Sequence, residues 1–149
     1  MSNEFNIRVA HKNDLPALFE LYLNLYDSEI TPIAYDAMQL WENILSDPNY
    51  YIFVGEEAGT IVSSVTLVII KNLTRKMRPD ALLENIVTAA THRNKGYAGL
   101  LLDKAAETAR RHNCYQMAFI SGAKNDSTVR FYTSSGFTNT EKSAFVMKL

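Results

Sequence analysis

Apolar and polar residues alternate from Phe5 to Ala10, with Phe5, Ile7 and Val9 set against Asn6 and Arg8, which predicts a first strand. Asp14 is placed to cap a helix, and Pro16 is tolerated in a first turn. Leu15, Leu18, Phe19, Tyr22, Leu25 and Tyr26 then recur at helical spacing, predicting a helix over about 15–27. A second apolar stripe, Ala37, Met38, Trp41, Ile44 and Leu45, predicts a helix over about 34–46 that Asp47-Pro48 ends. Two β-branched and aromatic runs, Tyr50–Gly55 and Thr60–Lys71, predict a hairpin joined through Glu56–Gly59. After the polar 72–80 loop, Ala81–Thr88 predicts a strand, 89–94 an irregular stretch, and the next residues a helix to about His112. Cys114–Ser121 predicts another strand, 127–135 a short helix stopped by Gly136, and Phe137 onward with Ser143–Lys148 a closing antiparallel pair. The order β-α-α-β-β-β-α-β-α-β-β describes one mixed α/β domain over residues 1–149.

Composition narrows the function more than the fold. Hydrophobic residues at 47% and charged residues at 21% give an ordinary globular balance, so no segment is expected to be disordered. A formal net charge of -1 argues against a nucleic-acid binder, which is usually basic. The single cysteine, Cys114, rules out an internal disulfide and a cysteine-rich zinc site. No metal-ligand spacing is visible. The polar start, Met1–Asn6, lacks an apolar signal core, and the longest apolar run is interrupted by Ser63, Ser64 and Thr66. These features lead to the expectation of a soluble cytoplasmic protein with no membrane partner.

Chemistry enters between the sixth and seventh predicted elements. Arg93-Asn94-Lys95-Gly96-Tyr97-Ala98 opens a helix with two cations and several small residues. Small residues let a backbone approach a bulky ligand, and the first helical turn leaves N–H groups without helical partners. Together with the helix dipole they can cradle a phosphate or diphosphate. A solvated basic loop entering a helix would have the same sequence. The segment follows the carboxyl end of a strand in a predicted parallel β-α-β unit, where open α/β sheets tend to bind ligands. A nucleotide-hydrolysing P-loop would need Gly-x-x-x-x-Gly-Lys-Ser/Thr, which is absent.

Three features in this order, Glu84-Asn85-Ile86-Val87-Thr88, then Arg93–Ala98, then Asn125 with Phe131-Tyr132-Thr133-Ser134-Ser135-Gly136-Phe137, resemble the GNAT superfamily of N-acetyltransferases. The resemblance is strongest over about 82–138 and architectural before that. The residues around Glu84–Val87 and Asn113-Cys114-Tyr115 look most like the glucosamine-phosphate N-acetyltransferase branch, although Asn85 stands where that branch has a second acidic residue. The resemblance implies a GNAT-like acyl-CoA N-acyltransferase fold: a mixed, mostly antiparallel sheet with a parallel, splayed central strand pair and helices on both faces. It also implies acetyl-CoA as cosubstrate, with no metal.

Carried over residue by residue, Arg93, Asn94, Lys95, Gly96, Tyr97 and Ala98 would bind the diphosphate of acetyl-CoA through the main chain. The side chains of Asn94 and Tyr97 should then matter little. Ile86, Val87 and Thr88 would line the pantetheine arm, with the Val87 N–H also polarising the thioester carbonyl; Asn125 and Phe131 would complete the cofactor contacts. Tyr132 would protonate the departing thiolate, although a core aromatic beside Phe131 reads the same way. Glu84 is the candidate base, direct or through water, and an edge-strand carboxylate facing solvent is its ordinary alternative. Alternation puts Glu84, Ile86 and Thr88 on one face unless a bulge intervenes. His92 could also accept a proton, and Cys114 could form a covalent acetyl intermediate, although no His/Asp grouping accompanies it.

The acceptor side would lie in 27–34 and 72–80. Tyr26, Asp27, Glu29, Tyr35 and Trp41 would suit a cationic amine, and core packing explains Trp41 equally well. Arg75, Lys76 and Arg78 would suit a phosphorylated or carboxylated acceptor, or simply be solvated. The expected partners are acetyl-CoA and a small-molecule amine. A protein lysine or N-terminus, a non-catalytic acetyl-CoA sensor, and a homodimer all remain open.

Overall fold

The computed structural model describes residues 4–25, 35–122 and 124–149. The chain divides into two compact units, Met1–Met117 and Ala118–Leu149. The first is built on a sheet of order β1-β2-β3-β4-β5, with β1 Phe5–Val9, β2 Tyr50–Glu57, β3 Thr60–Ile70, β4 Asp80–Thr88 and β5 Gln116–Ala118. The first four strands pair antiparallel in sequence order. The β4–β5 pair is parallel. Its register starts where the Tyr115 N–H donates to the Pro79 carbonyl at 3.0 Å. Because β5 is only three residues long, its ladder accompanies the opening of β4 and stops well short of Val87 and Thr88.

Side-chain alternation sends the two faces of this sheet to different helices. Ile52 and Val54 of β2 join Ala10, Leu15, Leu18 and Trp41 in one buried cluster, under α1 Leu15–Tyr22 and α2 Tyr35–Ser46. The intervening residues Tyr51 and Phe53 face the other way, as do their antiparallel partners Leu67 and Val65. There Tyr51 meets His112, just past α3 Tyr97–Arg111, in an edge-on ring contact and a 2.7 Å hydrogen bond. Leu101, Leu102 and Ala105 of α3 are buried. Burial of such side chains is typically worth about 1.5–3 kcal/mol each, so two covered faces hold the sheet far better than one could.

Several boundaries differ from the sequence reading. The first helix stops at Tyr22, a turn short of the expected end, and residues 26–34 lie outside the described ones. Asp14 does not cap α1: its backbone is already helical, and its carboxylate reaches back to the His11 N–H at 2.7 Å. It also receives Arg8 at 2.6 Å, and Arg8 in turn bridges to Glu56 at 2.6 Å. Burial pushes Asp14 up, but the Arg8 and His11 hydrogen bonds outweigh it and hold the carboxyl below its ordinary range. β2 runs on through Glu56 and Glu57, leaving a hairpin turn of Ala58 and Gly59.

The second unit contains α4 Asp126–Ser134 and a ring cluster of Phe119, Tyr132 and Phe137. The expected strand 114–121 is cut to Gln116–Ala118, and the expected closing pair from Phe137 and over 143–148 does not form among the described residues. Phe145, Val146 and Met147 are exposed instead. A strand needs a neighbour to satisfy its N–H and C=O groups, and alternation alone does not supply one.

Candidate active site

The carboxyl end of β4 is shaped by a bulge. Thr66 of β3 pairs with Glu84 and Ser64 with Val87, so Asn85 and Ile86 together oppose the single residue Val65. Asn85 absorbs the extra length in a left-handed conformation, φ 50°, which asparagine tolerates better than most residues. The expected alternation is thereby overturned: Glu84 shares the face of Val87, Ser64 and Thr66, the face toward α1. Thr88 pairs with Ser63 on the opposite side, where their hydroxyls lie 2.8 Å apart. Ser63 Oγ also donates to the Val87 carbonyl at 2.9 Å.

Glu84 itself is exposed on that face, close enough to half-buried Tyr50 for its charge to act there. Burial pushes up the Tyr50 phenol, with the charge of Glu84 adding to the effect. Burial also pushes up Tyr22, against hydrogen bonding by Thr66 and Ser64. Trp41, considered above for the acceptor side, is a core residue, 5% exposed, whose Nε1–H donates to the Lys12 carbonyl at 3.1 Å. Tyr26, Asp27, Glu29 and the side chain of Tyr35 lie outside what is described.

Beyond Thr88 a short 3-10 turn, Ala90–His92, leads into the segment expected to cradle phosphate. Asn94 and Gly96 are both left-handed, φ 62° and 81°, and Gly96 is the N-cap of α3. No side chain caps this helix, and the first main-chain bond back to the cap is from the Leu100 N–H to the Gly96 carbonyl, 3.2 Å. The N–H groups of Tyr97, Ala98 and Gly99 are therefore left without helical partners. A Cβ built on Gly96 or Gly99 meets nothing within 4 Å, so the helix start has open space beside both glycines. Arg93 is exposed beside them, its Nε 3.4 Å from the Thr88 carbonyl. Donors, dipole, space and a cation coincide, which is what a bound diphosphate requires.

Two expectations about this segment change. The Tyr97 side chain is not incidental: it is buried, lies flat on Phe5 with ring centroids 3.8 Å apart, and donates its phenol to Glu57. His92, also a candidate proton acceptor, is not simply solvent-facing: Nε2 sits 2.9 Å from Glu57 Oε2 and Nδ1 lies 2.8 Å from Thr91 Oγ1. Glu57 was missed because the run Glu56–Gly59 has the composition of a turn. A carboxylate closing a strand opposite an aromatic N-terminal strand was the available signal.

The cations of 72–80 are largely spoken for. Arg78 donates to the carbonyls of Asn113 and Cys114 at 3.1 and 2.9 Å, and Arg75 lies over the Tyr115 ring, 5.3 Å from its centroid. Cys114 is a poor nucleophile, its thiol pushed up by burial and by the charge of Asp80.

In the second unit, Asn125 caps α4, its Oδ1 accepting from the Thr128 N–H at 2.9 Å and Ser127 Oγ at 2.7 Å. Tyr132 stands within 4.4 Å of Phe119 and 5.0 Å of Phe131, ring to ring. Burial among these rings raises its phenol, which therefore keeps its proton at neutral pH.

Residues 15–137 match the acetyltransferase (GNAT) family. The chain belongs to that family. A candidate acetyltransferase from Agrobacterium tumefaciens str. C58 is 35% identical, with 96% of this chain and 99% of that one covered and a TM-score of 0.89. The glucosamine-6-phosphate N-acetyltransferase of Arabidopsis thaliana shares the GNAT fold at 21% identity and TM-score 0.84, covering 98% of each chain. So does the aminoglycoside N-acetyltransferase AAC(6')-Iy, solved in complex with CoA, at 21% identity and TM-score 0.80, covering 99% and 97%. Among the described residues of this GNAT protein, no helix is long and apolar enough to cross a membrane, and no group of three or more His, Cys, Asp or Glu could hold a metal ion.

Proposed function

We infer that this protein is an acetyl-CoA-dependent N-acetyltransferase that acetylates a primary amine of a small molecule by direct attack. The observation that carries the reading is the uncapped, glycine-headed N-terminus of α3 after the end of β4, with N–H groups that lack helical partners and open space beside Gly96 and Gly99. Its GNAT relatives include one solved with CoA, in support of the same cosubstrate here. The cradle main chain of 93–98 takes the diphosphate, and Ile86, Val87 and Thr88 flank the pantetheine arm, with Asn125 and Phe131 as further contacts.

Three proton transfers accompany the reaction. The acceptor ammonium gives one to Glu84, directly or through water, and the freed amine attacks the thioester carbonyl. The N–C bond forms, the C–S bond breaks, the thiolate takes the phenol proton of Tyr132, and the acylated nitrogen sheds its second proton to water, which reprotonates the Tyr132 phenolate and leaves a neutral amide. Each such transfer by a placed group typically contributes about 10²–10⁴-fold. A Val87 N–H directed at the carbonyl oxygen would add roughly 3 kcal/mol. The commitment of Arg75 and Arg78 to the chain itself favours an amine that is not strongly anionic.

CoA-thiol release should rise when amines are supplied, tested across amino-sugar phosphates, aminoglycosides, polyamines and lysine peptides. Peptide-only turnover would move the acceptor to protein, and CoA binding without turnover on any amine would make the chain a sensor. Tyr132→Phe should lower kcat about a hundredfold with acetyl-CoA affinity retained; undiminished kcat would remove Tyr132 from the acid role. Because burial raises that phenol, the alkaline fall in rate assigned to it should lie above the ordinary tyrosine value of about 10. A Tyr132-dependent loss between pH 7 and 9 would contradict the assignment.

A further inference from the structure

Beside the cradle, one carboxylate gathers three side chains from the segment that forms it. Glu57, the last residue of β2, accepts from Lys95 Nζ at 3.0 Å and from the Tyr97 phenol and lies 2.9 Å from His92 Nε2, and its side chain is 11% exposed. These side chains come from positions 92, 95 and 97, so a single side chain of the sheet fastens both ends of the turn between β4 and α3. Between those ends Arg93, Asn94, Lys95 and Gly96 are exposed, and the backbone is left-handed at Asn94 and Gly96.

The brace continues into the sheet. Tyr97 stacks on Phe5 with an interplanar angle of 2°, and the Phe5 ring crosses Gly55, where a Cβ would stand 2.3 Å from it. Gly55 therefore lets the ring lie flat against β2, and the ring sets the height of Tyr97. The Tyr97 phenol, then Lys95, holds Glu57 below the usual carboxylate range, so the carboxylate remains ionised at neutral pH.

We propose that Glu57 is the positioning residue of the diphosphate cradle: it holds the main-chain donors of 93–98 in place before acetyl-CoA arrives and keeps the Lys95 ammonium turned to the sheet, so that Arg93 is the side-chain cation that meets the diphosphate. The proposal rests on the acetyl-CoA reading of this cradle. Main-chain donors bind an anion well only when their directions are fixed beforehand, and a displacement of about 1 Å can cost as much as a hundredfold.

The test is calorimetric titration with CoA, together with kcat and KM for acetyl-CoA, on wild type, Glu57→Ala and Glu57→Gln. Glu57→Ala should raise both the Kd for CoA and the KM for acetyl-CoA about tenfold, with kcat at saturation kept within about threefold. Glu57→Gln, which still offers an oxygen to the Tyr97 phenol, should recover most of the loss. A merely structural role would lower the melting temperature and the active fraction without this split between KM and kcat. Freed Lys95 would attract the diphosphate, so an unchanged or tighter Kd in Glu57→Ala overturns the proposal. If Glu57→Ala does not fold, Tyr97→Phe replaces it: a KM raised about threefold supports the brace, and an unchanged KM overturns it. Failure of the wild type to bind CoA would instead defeat the acetyl-CoA reading, and this proposal with it.

Discussion

Two loops of this protein look alike in sequence and differ in what they can do. Residues 72–80 carry Arg75, Lys76 and Arg78, and residues 89–96 carry His92, Arg93 and Lys95. Both contain non-glycine residues in the left-handed region: Arg75, Lys76 and Met77 in the first, Asn94 in the second. In the first loop the guanidinium groups turn inward, Arg78 to two carbonyls at the approach to β5 and Arg75 to the ring of Tyr115. In the second loop Glu57 takes up His92 and Lys95, while the main chain ends in three unclaimed N–H groups at a helix mouth. The difference lies in the backbone. Cations make both loops basic, but only a helix start behind open space makes an anion site.

That contrast can be broken in graded steps. Gly96→Glu puts a negative charge where the diphosphate is expected, and like charges in contact cost several kcal/mol, so CoA affinity should fall by about a hundredfold or more. The backbone at φ 81° adds about 1–2 kcal/mol of strain with no steric clash, so circular dichroism should still report a folded protein. Arg93→Ala should weaken CoA binding about tenfold in the same titration. Arg78→Ala should leave that affinity within about twofold and lower stability to urea by roughly 1–3 kcal/mol, through its two lost carbonyl partners. Equal losses of affinity in Arg93→Ala and Arg78→Ala would erase the distinction between the loops. The smallest effect belongs to Lys76→Gly, which relieves a left-handed residue at φ 59° and should raise stability by about 1 kcal/mol in the same unfolding measurement.

The sequence carried the skeleton of the molecule because its strands and helices have strong, regular patterns. Phe5–Val9, Tyr50 onward, Thr60–Ile70 and Asp80–Thr88 all lie within a residue or two of the predicted bounds. The start of α3 at Tyr97, headed by Gly96, was legible too, because small residues and an apolar run mark a helix opening there. What failed was whatever depends on a neighbour. The bulge at Asn85 adds one residue to β4, which reverses the face on which Val87 and Thr88 stand relative to Glu84, and no alternation rule registers that. Tyr97 read as a bystander because its partners, Phe5 and Glu57, are 92 and 40 residues away in the chain. The last expected strands, from Phe137 and over 143–148, do not form among the described residues, because a strand also needs a partner that its own sequence does not specify.

Amide shifts of the 15N-labelled protein, followed through a titration with CoA, test the central claim most directly. The account predicts that the largest changes fall on the N–H groups of Tyr97, Ala98 and Gly99, with small ones at Arg75–Arg78. Saturable CoA binding that leaves Tyr97–Gly99 unmoved, or that moves Arg75–Arg78 instead, would contradict it.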